Sequence, residues 1–246
     1  MSEQVLPITG LKIGEVPAAV LVCGDPARAT KTAAYLEDAV LLSEQREYRA
    51  FRGTYQGTAV AVCSHGVGAA GAAVAFEELI AAGAKQIIRI GTCGGIKTDV
   101  TDGDLVIAAS AIANIGYARE VVPPHFPAAA DPELTVQLLN IARQHGHPHH
   151  MGMVITRDTF YGGVTTPFTP NYETLAQANV TAVEMECAAL FIIGALRGVQ
   201  TAAILTVDGN VLKAPESMDS YQPHRDVVAA AVQAEIEIAL TTLTKT

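Results

Sequence analysis

The sequence predicts an α/β fold: one domain over residues 1–246, with a central, mixed, twisted β-sheet flanked by helices on both faces. Three observations predict it. Apolar residues make up 50% of the chain and charged residues 17%, so a large core is available and disorder is excluded. Trp is absent and aromatics are only 5%, which leaves Ala, Val, Ile and Leu to fill the interior, as in a sheet covered on both sides. Short apolar runs alternate with helical periodicities, without a linker, a low-complexity tract or a repeat.

Each element has a local reason. Ala18 to Cys23 is a short apolar strand closed by Gly24-Asp25-Pro26, and a helix starts near Ala27 with Pro26 in its first turn. Arg52 to Ser64 reads as a hairpin turning at Gln56-Gly57. Ala69 to Gly83 carries Phe76, Leu79 and Ile80 at helical spacing and stops at glycine. Gln86–Ile90 and Asp104–Ala109 are strands, and Glu133–His145 is helical. Met153–Thr156 and Thr181–Val183 are short strands, Glu184–Arg197 an apolar helix, Thr201–Val207 a strand and Arg225–Leu243 a closing amphipathic helix.

The charge pattern excludes several classes. A net charge of −9 without a basic block argues against a grip on nucleic acid. The longest nearly uncharged run, Leu105 to Ala118, is shorter than the ~20 residues of a membrane span. The N-terminus lacks a signal-peptide pattern. Cys23, Cys63, Cys93 and Cys187 are far apart and form no CxxC, as expected of free thiols in a reducing compartment. The expectation is a soluble, cytoplasmic protein.

Several constellations carry chemistry. Gly24-Asp25-Pro26-Ala27-Arg28 suits an anion at a helix start, although alone it reads as an ordinary turn with a surface Arg. Arg89-Ile90-Gly91-Thr92-Cys93-Gly94-Gly95 is more specific: a guanidinium inside an apolar strand needs a partner, and a hydroxyl with three glycines makes an oxyanion cradle. Gly66-Val67-Gly68-Ala69-Ala70-Gly71 matches the dinucleotide pattern GxGxxG, but no acid follows about 20 residues on, so packing glycines are the better reading. His65 beside it reads as a hydrogen-bonded structural histidine. In Val183-Glu184-Met185-Glu186, the helix macrodipole accounts for one acid, and a second carboxylate suits vicinal hydroxyls. Asp208, between an apolar strand and Gly209, is either an Asp–Gly turn or a general acid whose pKa partial burial raises. The run His145-Gly146-His147-Pro148-His149-His150 lacks regular ligand spacing and reads as a solvent-exposed loop, not a metal site.

Taken in order, these segments resemble the nucleoside phosphorylase-I family, in its hexameric purine nucleoside and uridine phosphorylase branch. The matching stretches are VLVCGDPARA (20–29), REYRAFRGTYQG (46–57), SHGVGAAGAAVAFEEL (64–79), IIRIGTCGGI (87–96), ITRDTFY (155–161), AVEMECAALF (182–191) and ILTVDGN (204–210). The resemblance implies phosphorolysis of a ribonucleoside to free base and ribose 1-phosphate, with inorganic phosphate as co-substrate and neither metal nor organic cofactor. It implies a phosphate site of Gly24, Arg28, Arg89 and Thr92, with Arg46 reaching the neighbouring subunit's site in a trimer of dimers. Met185, Glu186 and Tyr161 are implied at the ribose, Glu186 on its 2′- and 3′-hydroxyls. Phe160, Tyr161, Val183 and Glu184 are implied at the base, and Asp208 is implied as the acid that protonates purine N7.

Two departures from the family pattern bear on specificity. Leu6-Pro7-Ile8-Thr9 lacks the His that many relatives direct at the ribose 5′-hydroxyl, and Gly162-Gly163-Val164-Thr165-Thr166 lacks the Gln and Arg with which uridine-specific members read uracil. Purine nucleosides are therefore the expected substrates. Uridine phosphorolysis, a water-using nucleosidase and a non-enzymatic nucleotide-binding domain are the alternatives; Arg28, Arg46 and Arg89 argue against the nucleosidase.

Overall fold

The computed structural model describes residues 4–213 and 225–245. Its strands are β1 (Ala19–Cys23), β2 (Glu37–Gln45), β3 (Tyr48–Tyr55), β4 (Thr58–Ser64), β5 (Gln86–Gly95), β6 (Leu105–Asn114), β7 (Ala128–Ala129), β8 (His149–Arg157), β9 (Val180–Glu184) and β10 (Gln200–Asn210). Its helices are α1 (Pro26–Ala33), α2 (Ala69–Ala82), α3 (Gly116–Val121), α4 (Pro132–His145), α5 (Tyr172–Gln177), α6 (Cys187–Arg197) and α7 (Asp226–Leu243). All ten strands join one mixed sheet.

Alternation along the central strands explains why both faces are covered. In β1, Val20 and Val22 point into a core shared with α2 and α6, while Leu21 and Cys23 point into a second core shared with α1, α4 and α7. In β5, Ile87 joins the first core, and Ile88 and Ile90 the second. The four cysteines are buried and unpaired. Among the described residues, no helix is long and apolar enough to cross a membrane.

The sheet closes on itself at one end. In pairing order β10, β6, β8, β9 and β5 follow one another, and β5 also pairs with β10 in parallel from Gln86↔Gln200 to Gly95↔Asn210. Beyond this ring, β1, β4, β3 and β2 extend the sheet to an open edge. Strand β5 is the seam. It pairs with β1 as far as Val22↔Arg89 and with β9 only from Gly94↔Val183. The gap between these pairings, at the carboxyl end of β1, is where an α/β sheet gathers a ligand.

The expected hairpin, the helix opening at Pro26 and the closing helix are all present, and the helix expected from Glu133 also opens on a proline, Pro132. Asp25 and Asp131 cap α1 and α4, accepting from the N–H groups of Ala27 and Leu134, each at 2.8 Å. Several elements differ from expectation. Strand β5 runs on through Gly95 because β10 pairs with it over its whole length, and α6 begins at Cys187 because Glu184 is still in β9. Exposed β2 and the short α3 and α5 lack the apolar periodicity that would announce them. The histidine run is only partly loop. His145 ends α4, whereas His149 and His150 open β8, paired with Leu105 and Val106. His150 Nε2 lies 3.1 Å from Asp104, and among the described residues no cluster of three potential metal ligands forms.

The Asp131 cap also accepts a 3.3 Å hydrogen bond from Gln200 at the start of β10. Asp131→Ala is expected to lower unfolding free energy by about 1 kcal/mol, measured by urea denaturation, without altering anion binding.

Candidate active site

A cleft of about 750 Å³ opens at the gap beside β5. Five segments line it: Gly24, Asp25, Pro26 and Arg28 after β1; Gly66 and Val67 after β4; Arg89 with Gly91 to Gly94 on β5; Arg157 at the end of β8 with Thr159, Phe160 and Tyr161 beyond it; and Val183 to Glu186 at the β9–α6 junction. Glu47, Tyr172 and Asp208 complete it. Of the residues expected at a site, Gly24, Arg28, Arg89, Thr92, Phe160, Tyr161, Val183, Glu184, Met185, Glu186 and Asp208 all reach this one cleft.

Arg89 is 3% exposed. Its Nη2 pairs with Glu186 Oε2 at 2.5 Å and with Glu184 Oε2 at 3.4 Å. Its Nη1 lies 3.2 Å from His65 Nε2. Arginine can only donate, so His65 Nε2 accepts, and Nδ1–H donates to the Gly66 carbonyl at 2.8 Å. Burial and the Arg89 charge push the His65 pKa well below its usual value, so it is the neutral structural histidine the sequence predicts. The two acids hold Arg89 firmly protonated against the opposing effect of burial. Gly91 makes this arrangement sterically feasible: a Cβ there would stand 2.6 Å from Arg89 Nη1. Arg89 Nε is buried without a hydrogen-bond partner.

The two acids of Val183-Glu184-Met185-Glu186 divide their work. Glu184 is turned into the chain. Its Oε2 accepts from the N–H groups of Glu186 and Cys187 at 2.7 and 2.9 Å, and its Oε1 accepts from Thr156 Oγ1. It serves as the acceptor for the N-terminus of α6 while still lining the cleft. Glu186 keeps lone pairs for the cleft, although Oε1 accepts from Gly68 N–H at 2.6 Å. Burial pushes the Glu186 pKa up, and Arg89 draws it back. The Gly68 contact disposes of the dinucleotide reading. Gly68 has φ +94°, a turn conformation that favours glycine, and its N–H is met by a carboxylate of the same chain.

Asp208 is 4% exposed and sits on a β-bulge, where the β10–β5 register skips from Val207↔Cys93 to Gly209↔Gly94. A bulge re-aims one side chain out of the ladder. Arg225 Nη2 donates to the Asp208 carbonyl at 2.8 Å and its Nη1 pairs with Asp102 at 2.5 Å, tying the bulge to the start of α7. Asp208 stands two to three residues further along the β10–β5 ladder than Gly91, a strand rise of roughly 7–10 Å.

Two expectations need qualification. Tyr161 is 47% exposed at the rim, packed edge-on against Phe160 with ring centroids 5.1 Å apart. Arg46 does not line its own chain's cleft; it is exposed, at φ +56°, in the β2–β3 turn beside Glu47, which does. Two of the three expected arginines therefore meet within the chain.

Sequence reasoning missed three residues. Arg157 donates to Tyr172 Oη and Thr159 Oγ1, each at 2.5 Å, inside the cleft. Tyr172 lies on α5, an element the sequence did not announce. Glu235 lies under Gly91 on α7. A polar residue breaking an apolar helical stripe was the only signal for it.

With the geometry in hand, the comparisons are consistent. Residues 18–244 match the phosphorylase superfamily, and the chain belongs to it. A uridine phosphorylase of Treponema pallidum is 36% identical, covering 92% of this chain and 91% of the relative. A purine nucleoside phosphorylase of Plasmodium vivax is 39% identical, covering 79% of each. The structure superposes on a purine nucleoside phosphorylase of Toxoplasma gondii solved with immucillin-H, with a TM-score of 0.91 and 30% identity, covering 99% of this chain and 96% of that one.

Gly91→Ala is expected to displace Arg89, cost about 1–3 kcal/mol of stability through overpacking, and weaken sulfate binding at least as strongly. Thermal melts and calorimetric sulfate titration measure the two effects.

Proposed function

We propose that this protein catalyses phosphorolysis of purine ribonucleosides to free base and ribose 1-phosphate. The observation that carries the reading is the joining of Arg89 to Glu186 inside one cleft, with Arg28 and Thr92 beside them and Asp208 re-aimed by its bulge. Cations, a carboxylate with free lone pairs and a second acid within one cleft support this reading.

Inorganic phosphate rests on Gly24, Arg28, Arg89 and Thr92. Glu186 accepts from the 2′- and 3′-hydroxyls, Met185 and Tyr161 cover the sugar, and Phe160 and Val183 wall the base. A phosphate oxygen attacks C1′ of the ribose, and the C1′–N9 bond breaks with its electron pair leaving on the base. Positive charge that develops on the ribose faces the phosphate dianion. Asp208, entering protonated, gives its proton to purine N7 and leaves as carboxylate, a transfer of a kind that contributes about 100- to 10,000-fold. The reaction calls for phosphate as co-substrate and for no metal or organic cofactor.

The uridine reading has the Treponema relative in its favour; the glycine-rich 162–166 segment, without Gln or Arg, favours purines. Inosine is expected to be cleaved only when phosphate is present, with uridine turned over much more slowly. Full turnover without phosphate would overturn phosphorolysis, and faster uridine cleavage would overturn the purine assignment. Asp208→Asn is expected to lower kcat for inosine by about 100- to 10,000-fold with KM for phosphate little changed.

Arg46 completes the site of a neighbouring subunit in a homohexamer built as a trimer of dimers. Its exposed, outward position beside cleft-lining Glu47 supports this assembly. Arg46→Ala and Asp208→Asn chains, each impaired alone, are expected to regain activity when mixed into hybrid oligomers. No recovery in hybrids of demonstrated mixed composition would remove the shared-site arrangement.

A further inference from the structure

The closing helix α7 carries one acid into the interior. Glu235 is 0% exposed, and its neighbours Val228, Ala231, Val232, Ala234, Ile236 and Ile238 pack into the apolar core. A carboxyl in such a place costs several kcal/mol unless hydrogen bonds meet it. Both its oxygens are met, on two neighbouring strands. Oε1 accepts from the Gly91 N–H, and Oε2 accepts from Thr206 Oγ1 at 2.5 Å.

The Gly91 N–H lies in the gap where β5 has left β1 after Arg89 and has not yet reached β9 at Gly94. Glu235 supplies the acceptor there in place of a strand. Gly91 in turn is the surface on which the Arg89 guanidinium lies, too close for any Cβ. Fixing Gly91 therefore fixes Arg89. The carboxyl also feels Arg28 and Arg89, two of the three arginines that line the cleft.

We propose that Glu235 is a positioning residue for the anion subsite, holding Gly91 and through it Arg89, and that it takes up a proton from solvent when phosphate binds. The functional half of this inference rests on the phosphorolysis reading; the structural half does not.

The charge balance gives the sign. Burial raises the Glu235 pKa to about 7, while Arg28, the Thr206 and Gly91 hydrogen bonds and Arg89 pull the other way. A dianion on Arg28 and Arg89 offsets the two charges that favour the carboxylate. Protonation then becomes easier, and by linkage the anion binds more tightly when Glu235 is already protonated. The other titratable groups facing Glu235 are Cys23 on β1 and Cys93 on β5, whose thiols burial pushes up and keeps neutral. From α4, His145 meets Glu237 and not Glu235. His65, behind Arg89, stays neutral.

Sulfate is the probe, because it remains a dianion where phosphate itself titrates. Calorimetric sulfate titration of the intact protein is run from about pH 5.5 to 8.5. Wild-type affinity is expected to fall about tenfold as pH rises through about 7, the equivalent of a one-unit shift. Glu235→Gln, which keeps an acceptor for Gly91 but cannot ionise, is expected to remove that dependence and retain the low-pH affinity. Glu235→Ala is expected to weaken sulfate and raise KM for phosphate about tenfold or more, leaving KM for nucleoside at saturating phosphate within about twofold. Identical pH slopes in wild type and Glu235→Gln would overturn the proton uptake. Unchanged sulfate affinity in folded Glu235→Ala would overturn the positioning role. If no nucleoside is cleaved with phosphate, the phosphorolysis reading fails while the sulfate titrations still decide Glu235.

Discussion

Arg89 carries a permanent charge into a sheet covered on both faces, and the surrounding geometry follows from keeping that charge paired. Desolvating a guanidinium is costly, and removing one partner of such a buried pair typically costs about 3–5 kcal/mol. Glu186 and Glu184 supply the opposing charge, His65 accepts a further hydrogen bond, and Gly91 leaves the room. The cluster joins four segments of chain: the end of β4, the seam strand β5, the β9–α6 junction and, through Glu235, the closing helix. One interaction thus couples fold closure to the construction of the cleft.

That coupling explains the placement of the cleft. Strand β5 changes neighbours in mid-course, and between Arg89 and Gly94 it is paired with β10 alone; the open side is both a flaw in the ladder and the place where the cleft forms. The flaw is kept intact from below by Glu235 and from the side by the ion pairs. The bulge at Asp208 is a second interruption on the adjacent strand, two to three residues further along. Hydrogen bonds given up by the ladder are replaced by side chains, and those side chains are the ones available for chemistry.

This acidic protein concentrates cations in one place. Although the chain carries −9 overall, Arg28, Arg89 and Arg157 converge on one cleft. The nearby carboxylates have defined tasks: Glu184 binds the N-terminus of α6, and Glu186 balances Arg89 with lone pairs left facing the cleft.

Much of this was legible in the sequence because it is local. Alternating apolar runs, the Pro26-initiated helix, the Gln56-Gly57 hairpin and an Arg followed by Gly-Thr within a strand each report on neighbours in the chain, and they sufficed for an α/β fold; local motifs together with the family resemblance named half of the residues that line the cleft. Only the tertiary structure decided what depends on distant partners: closure of the sheet through the β5–β10 pairing, the division of labour between Glu184 and Glu186, the outward position of Arg46, and the meeting of Glu235 with Gly91 across 144 positions. Sequence periodicity records which face of an element is apolar. It does not record which polar group from elsewhere answers a buried charge, because that pairing exists only once the chain has folded.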